Sequence, residues 1–424
     1  MHSAATLASQ PHRGCGVCGA AGRTLCHHQR FIVPDGYPLP SEYGVVVCHR
    51  CGFVYADPAA TQRDYDYFYC EWSKYDDSAT ATGSGVSSYD AARLAIAARD
   101  IARAVPSRSA SILDAGCATG GLLTTLRDQG FTAVAGLDPS PRCAAACRER
   151  GFEAYVGSIA SAPAHMPKFD CVVFSHVLEH VYDIPAFFAA ARSVLAPGGY
   201  LYLETPDATR YDDYLYAPFQ EFNTEHINHF SKCALENATR RFGFKPVLVE
   251  QKLIQTAEET LYPAVFGVFR DQGEIAEERA VVRDRELSSA IDSYIQHSAE
   301  QMEQINQHLA KQLTDTPQVI LWGAGQLAMK LLALPCFAKL TIRALVDNNP
   351  ILKGKKFAGA PVVGHQDIAG THEPIIIATL LHDDEISAQV RQLGLSNPVL
   401  SLRGSNSTGR PQVRSKVTSE AARR

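Results

Sequence analysis

Leu113-Asp114-Ala115-Gly116-Cys117-Ala118-Thr119-Gly120-Gly121 is the stretch whose reading settles the fold. It follows the short apolar run Ser111-Ile112-Leu113 and precedes a helical pattern over residues 122–129. A strand therefore enters a glycine-rich turn and a helix leaves it. Glycine lets the backbone bend sharply there and approach a ligand closely, and the following helix aims its amide ends at the same spot. Twenty-two residues after Gly116 comes Asp138, closing the next strand pattern at residues 133–137. An acid in that place accepts hydrogen bonds from both hydroxyls of a ribose. The turn lacks the second close glycine of a dinucleotide fingerprint and opens with the carboxylate of Asp114. A negative charge beside the turn repels a pyrophosphate and suits the ammonium of a methionine moiety. S-adenosylmethionine is favoured over NAD on that ground.

Outward from the turn, helix and strand signals alternate. Residues 89–105, 141–150 and 184–195 carry helical periodicity, and residues 171–174 and 200–204 read as strands. Such alternation predicts a parallel sheet covered by helices on both faces, an α/β fold. Beyond it, Leu287, Ile291, Tyr294, Met302, Ile305 and Leu309 form one apolar stripe on a charged helix spanning roughly 278–313. Such a stripe packs on its own protein, joins two domains, or pairs in a dimer coiled coil. A second strand–glycine–helix unit starts at residues 319–325, with further strands at 344–347 and 375–379, so a shorter α/β domain ends the chain. The Gly/Ser/Thr-rich residues 78–88 read as a linker or mobile loop.

With 424 residues, a formal charge of −5 and 46% hydrophobic content, the chain is a multidomain globular protein without a nucleic-acid footprint. No stretch reaches the roughly 20 apolar residues of a membrane span, and residues 1–13 carry no signal-peptide core. The basic residues near the end, among them Arg410, Arg414 and Lys416, lie in a tail expected to be disordered. Twelve cysteines then imply a reducing cytoplasm, where spaced pairs mean metal more often than disulfide. Cys15-x-x-Cys18 and Cys48-x-x-Cys51 are two such pairs, each followed by glycine. Four thiolates from two knuckles make a closed, tetrahedral, structural zinc site, which replaces the missing core of a small module. Cys26, His27 and His28 lie between the pairs and offer substitutes for one ligand.

Past the last strand of the central sheet, residues 219–231 interleave Glu221, Glu225, His226 and His229 with Phe219, Phe222 and Phe230. A Glu–His pair beyond the sheet edge offers a base whose pKa is tuned by burial and by its neighbour. His180, after the fourth strand, can face the same pocket.

The pattern Asp114-x-Gly116-x-x-x-Gly120, then Asp138, Phe169-Asp170-Cys171-Val172-Val173, Val177-Leu178-Glu179-His180-Val181 and Leu195-Ala196-Pro197-Gly198-Gly199 resembles the core of class I methyltransferases. The resemblance implies that Asp114, Gly116 and Gly120 flank the methionine part of S-adenosylmethionine, that Asp138 holds the ribose, and that His176 lies along the cofactor. Ser158-Ile159 stands where that family often has an acid near the adenine.

The order of cysteine module, methyltransferase core, Glu-His segment and C-terminal α/β domain resembles the zinc-containing sugar C-methyltransferases, which methylate carbon next to a ketone on a nucleotide-linked deoxysugar. Glu225-His226 followed by Phe230-Ser231 matches that family's motif, and His180 its histidine after strand four. The resemblance implies that Glu225 or His226 removes the α-proton while His180 assists the keto oxygen. Asn223 departs from the family's tyrosine, and its His-Gly-Gly segment is not recognisable in residues 255–269. Gly323-x-Gly325-x-x-Ala328 with Asp347 outlines a dinucleotide fingerprint, but the resemblance implies a structural or substrate-covering domain.

The expected layout is thus a zinc module at 11–77, a methyltransferase domain at 85–250, a helical connector at 251–313, a Rossmann-like domain at 314–405 and a tail at 406–424. The expected partner is a nucleotide sugar, with no nucleic acid or membrane, and the protein is a monomer or homodimer. An O-methyltransferase of a sugar or glycan hydroxyl, and a non-catalytic assembly protein that retains the fold, are the competing readings.

Overall fold

Leu94, Ala97 and Ile101 recur at the helical spacing that puts them on one face, and all are buried. They pack on Ile112, Cys171, Val173, Tyr202, Phe266 and Val268, so one helix covers one face of a sheet. The structure is a computed structural model that describes residues 12–72, 83–273 and 280–403. The expected tail lies outside the described residues.

The cysteine-rich start forms β1 (Arg23–Arg30), β2 (Glu42–Cys48), β3 (Val54–Asp57) and α1 (Gln62–Glu71). The methyltransferase-like segment follows as α2 (Ser88–Ala104), β4 (Ser111–Ala115), α3 (Gly121–Asp128), β5 (Ala133–Asp138), α4 (Pro141–Glu149), β6 (Glu153–Val156), β7 (Phe169–Ser175), α5 (Ile184–Val194) and β8 (Leu195–Pro206). Then come β9 (Asn228–His229), α6 (Lys232–Arg241), β10 (Phe244–Ala257) and β11 (Thr260–Asp271). The last part holds α7 (Glu286–Gln312), β12 (Gln318–Trp322), α8 (Gln326–Leu331), β13 (Thr341–Val346), β14 (Lys356–Phe357), β15 (Ala360–Val363), β16 (Ile375–Ile377), α9 (Asp383–Gln392) and β17 (Val399–Leu400).

Seven strands form the central sheet in the order β10-β11-β8-β7-β4-β5-β6. The strands from β6 to β8 are parallel, as the alternation predicted. Leu123, Ala144, Cys147, Phe152 and Ala154 make a second apolar cluster that meets the first at Val134. Burying each large apolar side chain contributes about 1.5–3 kcal/mol.

Two expectations are corrected here. Residues 251–271, assigned to a helical connector, are strand: β10 and β11 pair antiparallel, and β11 pairs with β8. The hairpin covers the edge that β8 would otherwise leave open. Charges at Lys245, Glu250 and Lys252 interrupt the apolar alternation that would have marked β10. Among the described residues the helix begins at Glu286, and its stripe is buried within the chain, with Leu287, Ile291, Tyr294 and Leu309 fully inaccessible. The coiled-coil reading loses its apolar seam.

The second correction concerns the linker. Part of residues 78–88 lies outside the described residues, but Gly83 and Gly85 are pinned. Asp90 accepts both of their amides at 2.9 and 2.7 Å, and Gly83 in turn accepts the amide of Gly121 at 3.1 Å. The segment braces the glycine turn.

The chain divides into two compact units that the linear layout does not match. One holds residues 1–26, 45–209 and 225–289; the other holds residues 27–44, 210–224 and 290–424. The second unit contains a six-stranded sheet ordered β14-β15-β13-β12-β16-β17. No described helix is long and apolar enough to cross a membrane.

Candidate active site

Asp114 lies one residue before the end of β4 and is buried, 3% exposed. Burial, then the charge of Asp138, push its pKa up to about 7 against the opposing pull of Arg93. A carboxylate held in that state gains from any cation that reaches it. After it, Gly116 turns at φ +88, where a side chain is strained and a Cβ would stand 2.9 Å from Val177. Asp138, at the tip of β5, accepts the amides of Ala118 and Ser140, each at 2.9 Å. In the same loop the buried Thr119 hydroxyl has no hydrogen-bond partner. A buried acid seeking a cation, an orphaned hydroxyl and a bare turn are a residue set that fits a sulfonium nucleoside.

The second group of side chains begins beside this turn, since Val177 packs on Gly116. The chain then makes a short turn, Leu178–His180. Glu179, His180 and His226 each bring one ligand atom to within 4.8 Å of the others. The His180 Nδ1 lies 3.2 Å from the carbonyl oxygen of Glu225. A carbonyl only accepts, so Nδ1 carries the proton and Nε2 keeps its lone pair. Burial lowers the His180 pKa to about 4 despite Glu179 nearby, so the ring is neutral at pH 7. In this state His180 takes a proton and cannot give one through Nε2. Assistance to a keto oxygen requires that it be protonated first.

His176, expected along the cofactor, sits at φ +56 between two buried carboxylates. Its Nδ1 bonds Glu179 at 3.2 Å, and its Nε2 lies 3.2 Å from Glu204 at ion-pair distance without hydrogen-bond alignment. Burial alone would lower its pKa, but the two carboxylates outweigh it and lift the value to about 9. Glu179 in turn is held below its usual range: burial is overcome by the His176 bond and by His180, His176 and His226. Glu204 continues the network to Lys252 at 2.7 Å, and Lys252 reaches Asp100 at 2.8 Å. Glu179, Glu204 and Lys252 were not assigned from the sequence. The adjacency of Glu179 to His180 was a signal for the first; Lys252 was hidden by the misread boundary at residue 250.

Glu225 and His226 are held from two sides. Ile227 donates its amide to Glu179 at 2.9 Å and accepts that of Ala56 at 2.9 Å. Asn228 donates to Leu178 and Val181, and β9 pairs with β3. Tyr69 of α1 meets the His180 ring edge-on at 5.6 Å, and His226 meets it at 4.9 Å. Asn223 and Thr224 belong to the second unit, where Tyr43 donates to the Asn223 carbonyl at 2.8 Å.

The four cysteines converge as the knuckles predicted. Cys15, Cys18, Cys48 and Cys51 are buried with all sulfurs within 4.8 Å, including Cys15–Cys51 at 3.6 Å and Cys18–Cys48 at 3.4 Å. A tetrahedron of Zn–S bonds of about 2.3 Å has edges of about 3.8 Å. Such crowding sets the thiols against one another: hydrogen bonding, first from Cys15, pulls Cys18 down to about 7, while Cys15 and Cys51 are pushed up. A divalent cation relieves that conflict, so the residues fit a metal. Cys26 bonds the Val45 carbonyl instead, and His27 stacks on Phe219 at 4.5 Å.

Residues 89–249 match the family model described as a methyltransferase domain. A ubiquinone biosynthesis O-methyltransferase of Methylobacterium nodulans is 35% identical over 117 residues, covering 26% of this chain and 47% of that protein. The protein of the same name from Xylella fastidiosa is 33% identical over 116 residues, covering 26% and 47%. The chain spans about half the length of the curated relatives it matches. Among solved structures, the Burkholderia thailandensis 1,6-didemethyltoxoflavin N1-methyltransferase with bound S-adenosylhomocysteine is 16% identical, with a TM-score of 0.38 over 55% of this chain and 96% of that one. Residues 89–249 of the chain carry a methyltransferase domain, built on a parallel α/β sheet.

Proposed function

We propose that the protein transfers the methyl group of S-adenosylmethionine to a carbon acid, the α-carbon of a keto-sugar carried on a nucleotide. The observation that carries this reading is the packing of Val177 on Gly116, which sets the Glu179–His180–His226 cluster beside the cofactor turn. Glu225 or His226 takes the α-proton as the enolate forms. His180, neutral beforehand, becomes a donor for the enolate oxygen by receiving that same α-proton from the group that removed it, His226 lying against its ring at 4.9 Å, and the buried Glu179 carboxylate balances the imidazolium. The sulfonium methyl then passes in line to the carbon, with positioning supplying much of the acceleration. A zinc held by Cys15, Cys18, Cys48 and Cys51 would have all four positions filled by protein, so its part would be structural.

A second reading is O-methylation of a hydroxyl. The neutral His180, with its Nε2 lone pair available, is already the base such a reaction needs, and the curated relatives named above are O-methyltransferases. Incubation of enzyme and acceptor in heavy water separates the two. Deuterium entering the acceptor skeleton before methyl transfer supports the carbon acid; product free of skeletal deuterium supports the hydroxyl. Calorimetry with S-adenosylmethionine guards the premise of both, because a chain that binds no cofactor is not a methyltransferase.

A further inference from the structure

Glu179, His180 and His226 belong to one unit and bring a carboxylate oxygen and two ring nitrogens to within 4.8 Å of one another. One carboxylate with two imidazoles is the donor set of open zinc sites. The side chain of Glu179 is only 1% exposed, and its two oxygens are treated differently. His176 bonds Oε1 at 3.2 Å, while Oε2 is buried with no hydrogen-bond partner. A buried carboxylate oxygen left in that way carries a desolvation cost that a ligand would remove.

His180 is oriented as a ligand is. Its Nδ1 donates to the Glu225 carbonyl at 3.2 Å, so the lone pair is on Nε2, which stands 3.9 Å from Glu179 Oε1. A backbone carbonyl behind one ligand and a hydrogen bond behind the carboxylate are the outer supports that fix metal-binding side chains. The backbone holds the third ligand in place without help from an ion. Ile227 donates to the Glu179 carbonyl at 2.9 Å, and Asn228 donates to those of Leu178 and Val181 at 3.0 and 2.7 Å. Zinc bonds of about 2.1 Å to nitrogen and oxygen give tetrahedral edges of about 3.4 Å, so Glu179 and His180 need to close by about half an ångström.

We propose that Glu179, His180 and His226 form a second metal site, separate from the four cysteines, which takes a divalent transition ion of the zinc class and leaves one position open. Ion and proton compete for the same imidazole lone pairs, so loading this site withdraws both rings from proton transfer. That consequence, unlike the site itself, rests on the acid–base reading proposed above.

The full chain, with zinc in the cysteine cluster and S-adenosylhomocysteine bound, is titrated with cobalt(II). One further equivalent is expected, with the visible bands of nitrogen and oxygen ligands and without the intense near-ultraviolet band of cobalt on thiolate. Excess magnesium, which asks for oxygen ligands, should leave the cobalt in place, and zinc should displace it. Glu179→Gln and His226→Ala are each expected to weaken cobalt binding at least about tenfold. Zinc content and S-adenosylhomocysteine affinity should be unchanged in His226→Ala, which keeps loss of the site distinct from loss of the fold. No further equivalent, a thiolate band, or unchanged binding in both variants overturns the site. With a nucleotide-linked keto-deoxysugar in heavy water, deuterium entry should stop once the ion is bound. Entry that continues with the ion bound overturns the competition. No entry even without the ion counts against the acid–base reading and leaves the site to the cobalt titration.

Discussion

The carbonyl of Glu225 has no proton to give, and from that one contact follow the tautomer of His180 and the chemistry open to it. Replacing His226 with Ala, or Glu225 with Gln, is expected to lower kcat by about 10²–10⁴, the usual worth of a positioned acid or base. Cofactor affinity measured by calorimetry should stay intact, and near-normal turnover in both variants would remove the assignment. Asp114 makes a prediction about pH. Its pKa stands at about 7 without a cation beside it, so cofactor binding must pull its proton off below that pH. Affinity for S-adenosylmethionine should be flat above about pH 7 and fall as the pH drops beneath it. Asp114→Asn should bind weakly with no such slope, and a titration series across pH 5.5–8.5, on the order of three units around this pKa, checks it.

The β10–β11 hairpin shows how an element enters a site that lies outside its apparent domain. It closes the edge of β8 and delivers Lys252 to Glu204, whose side chain is fully inaccessible. Lys252→Met leaves that buried carboxylate with His176 as its remaining cationic partner and is expected to cost up to about 3–5 kcal/mol in urea unfolding. The turn after β7 carries a second stability term. The folded pKa of His176 is raised from 6.5 to about 9, so its contribution is whole below 6.5 and disappears as pH rises through 9. The difference in unfolding free energy between wild type and His176→Gln should therefore shrink from pH 6.5 to pH 9. A constant difference would mean that the ring is not charged in the fold. At this level β4, β5, β7 and β8 were legible, because each carries its own apolar run and turn chemistry, and the short β6 was not. The hairpin was not, because charged residues on β10 break the alternation and only pairing with β11 makes it a strand.

Across the methyltransferase-containing unit, the cysteine module positions the Glu-His pair. β3 of that module holds β9, and Ala56 donates to Ile227, so residues 225–228 hang between the module and the turn at Glu179. Removing the metal with a chelator, or replacing Cys48 with Ser, should abolish turnover while S-adenosylhomocysteine still binds. Metal analysis of the purified chain should find about one zinc per four thiolates. Equal loss of both functions would make the module a general stabiliser. The glycine turn, the acid after the second strand and the paired CxxC spacings were readable beforehand because each is a local device, complete within a few residues or repeated at a fixed interval. The buried charges between His176 and Lys252, the proton on His180 and the division into two units were not. They depend on groups such as His180 and Glu225, or Ala56 and Ile227, that only the folded chain brings within hydrogen-bond reach. Burial, which sets the ionisation of those groups, is likewise a property of the packed fold and not of any segment.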